Sequence, residues 1–216
     1  MITTERIAAY IDSLDTGNTP FLDEIEEEAH RNNVPVIRRP TQNLIRTLLA
    51  IQKPQEILEI GTATGFSAIL MATYSPADCH ITTIENYEKR FQAAREHFER
   101  SGFLERIEFL TGDAAKILPE LAAGGKQYDL IFMDAAKGQY LHFYESIRKM
   151  MHAGSILLSD NVLQDGDVVE SRFAVTRRNR TIHARMRDYL YLLTHSDELV
   201  TDILPVGDGV ALSVRR

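Results

Sequence analysis

Between Ile57 and Leu158 the chain alternates short apolar runs with amphipathic stretches, and this alternation limits its fold more tightly than any other feature. The runs are Ile57 to Ile60, Ile81 to Ile84, Ile107 to Leu110, Leu130 to Met133 and Ile156 to Leu158. Helical spacing fills the gaps, over Phe66 to Tyr74, Tyr87 to Ser101, Ala114 to Leu121 and Tyr140 to Met151. Strands alternating with helices imply βαβ units and a mostly parallel sheet. Right-handed crossovers then bring the C-terminal ends of the strands to one edge.

The first fifty residues read differently, as helices. Thr19-Pro20 supplies an N-cap and a first-turn proline, and Asp23 and Glu24 suit the positive end of a helix dipole. A further helix around Thr41 to Ile51 carries Leu44, Ile45, Leu48 and Leu49 on one stripe, and Pro54 closes it. At the other end, Asp202 to Leu204 and Gly209 to Val214 read as strands joined in a hairpin by Pro205-Val206-Gly207-Asp208. The expected fold class is therefore α/β and Rossmann-like: a twisted, seven-stranded, mostly parallel sheet with an antiparallel C-terminal hairpin and extra N-terminal helices. The expected organisation is one domain over 1–216, a helical extension at 1–53 and the core at 54–216.

Composition narrows the setting. With 44% hydrophobic and 25% charged residues the chain has the balance of a soluble globular protein. Its one cysteine, Cys79, excludes an intramolecular disulfide and a cysteine metal cage, and fits a reducing cytoplasm. The start of the chain shows no basic segment followed by an apolar stretch, so neither secretion nor membrane spanning is expected.

An acidic residue sits in or just after almost every strand: Glu59, Glu85, Asp113, Asp134 and Asp160. In open α/β sheets ligands bind outside the carboxyl ends of the strands, so these acids are expected to face one cleft. The turn Gly61-Thr62-Ala63-Thr64-Gly65, leading into Phe66-Ser67, joins the first strand to a helix whose N–H groups point into that cleft. Glu85 lies twenty residues beyond Gly65, where an acid can accept both ribose hydroxyls, so a nucleoside cofactor is expected. Ala63 between the glycines fits a dinucleotide fingerprint poorly and disfavours a nicotinamide oxidoreductase. The loop resembles the first motif of class I S-adenosylmethionine-dependent methyltransferases, and Glu85 with Asp113-Ala114 strengthens the likeness.

Asp134-Ala135-Ala136-Lys137-Gly138-Gln139-Tyr140 and Ser159-Asp160-Asn161 follow the fourth and fifth strands. Two carboxylates and an amide make a hard-oxygen set suited to magnesium, and no cysteine or histidine accompanies them to suit zinc. Together with the cofactor loop, they resemble the metal-dependent O-methyltransferases that include catechol and caffeoyl-CoA O-methyltransferases. That resemblance implies an S-adenosylmethionine- and Mg2+-dependent enzyme with Asp134, Asp160 and Asn161 as metal ligands and Lys137 as general base. It also implies cofactor contacts from Ile37, Gly61, Ser67, Glu85, Asp113, Ala114 and Asp134. A homodimer, using the N-terminal helices, is a further implication.

The net charge of -7 conceals a basic segment. Arg172, Arg177, Arg178, Arg180, Arg185 and Arg187 stand between Ser171 and Arg187 with no acid among them. From Ile182 the positions Ile182, Met186, Tyr189, Leu190 and Leu193 form one helical stripe. Following Asp160-Asn161 closely, the arginines are expected to rim the same cleft, and Arg177, Arg178 and Arg180 to bind phosphates. With this segment included, the chain resembles bacterial tRNA 5-hydroxyuridine methyltransferases. The implied substrate is the wobble base of a tRNA anticodon loop, converted to 5-methoxyuridine. The alternative is a small catechol or a caffeoyl-CoA-like phenol, with the arginines meeting a CoA phosphate. A noncatalytic RNA-binding module would leave the metal set idle.

Overall fold

The computed structural model describes residues 5–171 and 173–216. Three helices lead the chain: α1 (Glu5–Ser13), α2 (Pro20–Arg31) and α3 (Arg39–Gln52). The Thr19 hydroxyl caps α2 by accepting the Leu22 N–H at 3.3 Å, and Pro20 and Asp23 occupy its first turn as expected. Strands and helices then alternate: β1 (Glu56–Ile60), α4 (Phe66–Tyr74), β2 (His80–Glu85), α5 (Phe91–Ser101), β3 (Ile107–Thr111), α6 (Ala114–Ala123), β4 (Tyr128–Met133) and α7 (Tyr140–Ile147). Next come β5 (Met151–Ser159), α8 (Arg180–Thr194), β6 (Leu199–Leu204) and β7 (Val210–Arg215).

All seven strands join one sheet in the order β3-β2-β1-β4-β5-β7-β6. The first five are parallel, while β7 is antiparallel to both β5 and β6. Chain order reverses between β1 and β4, the switch point where an α/β sheet opens a crevice. The buried side chains form two clusters. One gathers Leu22, Ile45, Ile69 and Phe98 from α2 to α5; the other gathers Leu118, Phe143, Met186 and Tyr189 from α6 to α8. Among the described residues no helix is long and apolar enough to cross a membrane.

Two boundaries depart from expectation. β5 begins at Met151, because the register with β4 shifts between Tyr128 and Leu130 and admits the exposed Ala153-Gly154 into the strand. α8 begins at Arg180, so Arg177 and Arg178 lie on the turn before it, and Arg172 falls outside the described residues. Its buried face is His183, Met186, Tyr189 and Leu193, with Ile182 turned outward instead of into the core.

Candidate active site

At the switch point a cavity of about 670 Å3 opens over the C-terminal ends of β1, β2, β4 and β5. It is of small-molecule size. Gly61 sets its floor. Its φ is +106°, and a Cβ there would stand 1.9 Å from the Asp134 carbonyl oxygen, so only glycine lets the loop after β1 cross the end of β4. Gly61 N–H and Thr62 N–H both donate to the Ile84 carbonyl, at 2.9 and 3.2 Å.

Glu85, at the end of β2, pins the same loop. Its Oε2 accepts the Ala63 N–H at 2.7 Å, and its Oε1 accepts the N–H groups of Asn86 and Tyr87 at 3.0 and 2.9 Å. The Ala63 bond holds a non-glycine residue at φ +48°, a conformation that costs about 1–2 kcal/mol. A carboxylate has about four acceptor positions, so Glu85 keeps capacity for a ligand's hydroxyls. Asp113 serves two purposes. It lines the cavity, and its Oδ1 accepts the Ala115 N–H at 2.9 Å as the N-cap of α6.

Asp134 and Asp160 follow the adjacent strands β4 and β5 into the same cavity. Burial raises the Asp134 carboxyl above its ordinary value, against the charges of Lys137 and Arg90. Asp160 is pushed up to about 7, first by burial and then by the charge of Asp134, while the Asn161 backbone N–H at 2.8 Å pulls the other way. A half-buried and a buried carboxylate that repel one another favour a bound cation. Asn161 sits beside them at φ +55°, and its side-chain nitrogen donates weakly to Asp208 at 3.5 Å, leaving the Oδ1 lone pairs for a ligand. Among the described residues no group of three or more His, Cys, Asp or Glu side chains is placed to hold a metal ion; Asp134, Asp160 and Asn161 offer two carboxylates and one amide oxygen to the same cavity. That chemistry fits a hard divalent ion with open coordination positions.

Of the residues expected at the site, Ile37, Gly61, Glu85, Asp113, Ala114, Asp134, Lys137, Asp160 and Asn161 line this cavity. Ser67 and Glu59 do not. Both are buried beneath the loop, where Thr83 donates to Glu59 Oε2 at 2.5 Å and the Ser67 hydroxyl faces the same carboxyl. Glu59 lies within β1 instead of at its end, which is why it misses the edge. Arg177, Arg178 and Arg180 are also absent from the lining, and the first two are exposed. Arg185 nevertheless ties α8 to the lysine loop by donating to the Gly138 carbonyl at 2.9 Å.

Several contributors carried no local sequence signal. Arg38 and Arg90 line the cavity; Arg38 pairs with Asp165 at 2.9 Å, and Arg90 approaches Glu85 at 3.9 Å. Tyr140 O–H lies 3.1 Å from both the Met133 and Asp160 carbonyls, bracing the ends of β4 and β5. Asp208 Oδ1 accepts the Asp165 N–H at 2.6 Å, so the β6–β7 turn supports the Asn161 loop.

This arrangement has known relatives. A family model described as O-methyltransferase matches residues 12–216. The chain belongs to the O-methyltransferase family. Caffeoyl-CoA O-methyltransferase 1 of Eucalyptus globulus is 28% identical over 194 residues, covering 86% of this chain and 77% of that protein. Catechol O-methyltransferase of Niastella koreensis is 33% identical over 133 residues, 61% of this chain and 60% of its own. The SAH-bound structure of the Podospora anserina methyltransferase PaMTH1 superposes with a TM-score of 0.87 at 25% identity, covering 100% of this chain and 98% of that one. The O-methyltransferase family thus accounts for the fold and for the edge of the sheet on which the cavity opens.

Proposed function

We propose that this O-methyltransferase takes a methyl group from S-adenosylmethionine and places it on a hydroxyl that stands beside a second acceptor oxygen. One observation carries the reading. Gly61, Ala63, Glu85 and Asp113, the oxygen set of Asp134, Asp160 and Asn161, and Lys137 all line a single cavity. When bound, S-adenosylmethionine supplies an activated methyl group, and a divalent cation such as magnesium supplies positive charge beside the acceptor oxygens. The chain's own residues do the rest. Glu85 accepts the ribose hydroxyls, Asp113 and Ala114 border the base, and Ile37 closes over the methionine portion. Asp134, Asp160 and Asn161 hold the cation. Lys137 Nζ, in its neutral amine form, takes the hydroxyl proton and becomes the ammonium, the resulting oxyanion takes the methyl group as S-adenosylhomocysteine leaves, and the main contribution of the protein is alignment.

A small phenol of the catechol or caffeoyl-CoA class is the acceptor best supported, because the curated relatives carry those names. A second reading, methylation of tRNA wobble 5-hydroxyuridine, draws on the exposed Arg177 and Arg178 and on Phe173, a few residues before them and 85% exposed. Exposed basic and aromatic groups in one segment suit a single-stranded nucleic acid. Side-by-side assays with S-adenosylmethionine, catechol, caffeoyl-CoA and 5-hydroxyuridine tRNA separate the two. Product from tRNA alone, lost at high salt, would overturn the phenol reading.

A homodimer through α1 belongs to the same proposal: Tyr10, Ile11 and Leu14 are more than half exposed on one stripe. Sedimentation of a Tyr10→Glu variant tests it. A cytoplasmic setting is consistent with the buried, unpaired Cys79.

A further inference from the structure

His97 lies on α5 beneath the cofactor loop and is only 5% exposed. Its Nδ1 is 2.7 Å from the Thr64 carbonyl oxygen, and its Nε2 is 3.0 Å from Glu28 Oε2. A carbonyl can only accept. Glu28 is an acceptor too, because its carboxyl is held below the usual range, first by the Arg100 hydrogen bonds and then by His97 itself. A neutral imidazole has one N–H and would set a ring lone pair against one of these oxygens. Both contacts are satisfied together only by the doubly protonated ring.

Each partner adjoins a segment that lines the cavity. Thr64 stands between Ala63, which lines it, and Gly65, whose missing Cβ makes room for Phe98, the residue after His97. Glu28 stands on α2, and the chain leaving that helix supplies Pro35, Val36, Ile37 and Arg38 to the lining of the same cavity. We propose that protonated His97 is a positioning residue that ties the cofactor loop to α2, so that losing its proton loosens both segments and weakens cofactor binding. The proposal rests on the reading of this loop as an S-adenosylmethionine site.

The charged surroundings are few. Glu28 faces the ring from α2, and Arg100, from the histidine's own helix, donates to Glu28 at 3.1 and 3.3 Å and also pairs with Glu24. The cofactor loop and α4 carry no charged side chain. Glu28 is therefore the group that favours the imidazolium, and Arg100 is the group that competes for it.

The test is S-adenosylhomocysteine binding by calorimetry from about pH 5.5 to 9, alongside a 15N titration of the His97 ring. Wild-type affinity should fall roughly three- to tenfold as the ring loses its proton, with coincident midpoints in the two titrations. His97→Gln, which cannot ionise, should lose that step in the affinity profile. Glu28→Gln, a change at a partly exposed position that removes the carboxylate facing Nε2, should keep the step and move it to lower pH; it carries the test if His97→Gln does not fold. A ring that is neutral throughout, or an affinity profile unchanged by both variants, would overturn the proposal. Failure of the wild type to bind at any pH would overturn the cofactor reading itself, which the ring titration reports separately.

Discussion

Glu59→Gln is the perturbation whose size follows most directly from the structure. Glu59 is fully buried in β1, and its carboxyl is pushed from 4.5 to about 7, first by burial and further by the charges of Asp134 and Glu85. The Thr83 hydroxyl at Oε2 opposes that shift, but Oε1 has no hydrogen-bond partner. A carboxyl whose folded-state pKa is raised binds its proton more tightly in the native state. Its contribution is therefore fully present below the unfolded pKa of about 4.5 and is lost as pH rises through about 7. An upward shift of this size corresponds to about 3 kcal/mol. The substituted amide keeps an oxygen for Thr83 and cannot ionise, so other groups cancel when variant and wild type are compared at each pH. Urea unfolding at about pH 5 and about pH 8 should show the variant's relative stability improving by about 2–3 kcal/mol between the two. A difference that stays constant with pH would refute the raised carboxyl and the dry environment inferred beneath the cofactor loop.

Other expectations concern the site itself. Gly61→Ala should destabilise the fold by about 3 kcal/mol or more and abolish S-adenosylhomocysteine binding, since its Cβ meets backbone at a positive φ; calorimetry and thermal unfolding check this. Tyr140→Phe should cost about 1–2 kcal/mol, because the buried hydroxyl that bridges Met133 and Asp160 is removed, and equilibrium unfolding reads the loss. Lys137→Met should lower turnover about 100-fold and spare S-adenosylhomocysteine affinity; unchanged turnover would remove it as the proton acceptor. Chelation should stop methyl transfer, with activity returning on addition of magnesium.

The sequence made the fold legible because its signals there are local. Phe66–Tyr74 is the helix expected, and the five parallel strands fall on the five apolar runs, since apolar run length and helical spacing are set by nearest neighbours. Most of the candidate site was legible for a related reason: Glu85 ends its strand, Asp134 and Asp160 directly follow theirs, and parallel strands end together. What escaped depends on long-range geometry. Glu59 looked like an edge acid but lies inside its strand, opposite Thr83. Ile182 completed an apolar stripe on paper, yet α8 turns it toward Gly138 and buries His183, which contacts the Glu170 carbonyl at 3.1 Å. The supports supplied by Asp208 and His97 come from segments distant in sequence, and no spacing rule points to them.

Transfer of a labelled methyl group from S-adenosylmethionine, with product analysis by mass spectrometry, tests the central claim most directly. Wild type should mark one of two adjacent oxygens on a catechol or caffeoyl-CoA-type acceptor, and Asp160→Ala should abolish the product without preventing S-adenosylhomocysteine binding. Methylation at nitrogen or carbon, or full O-methylation by the Asp160→Ala variant, would contradict it.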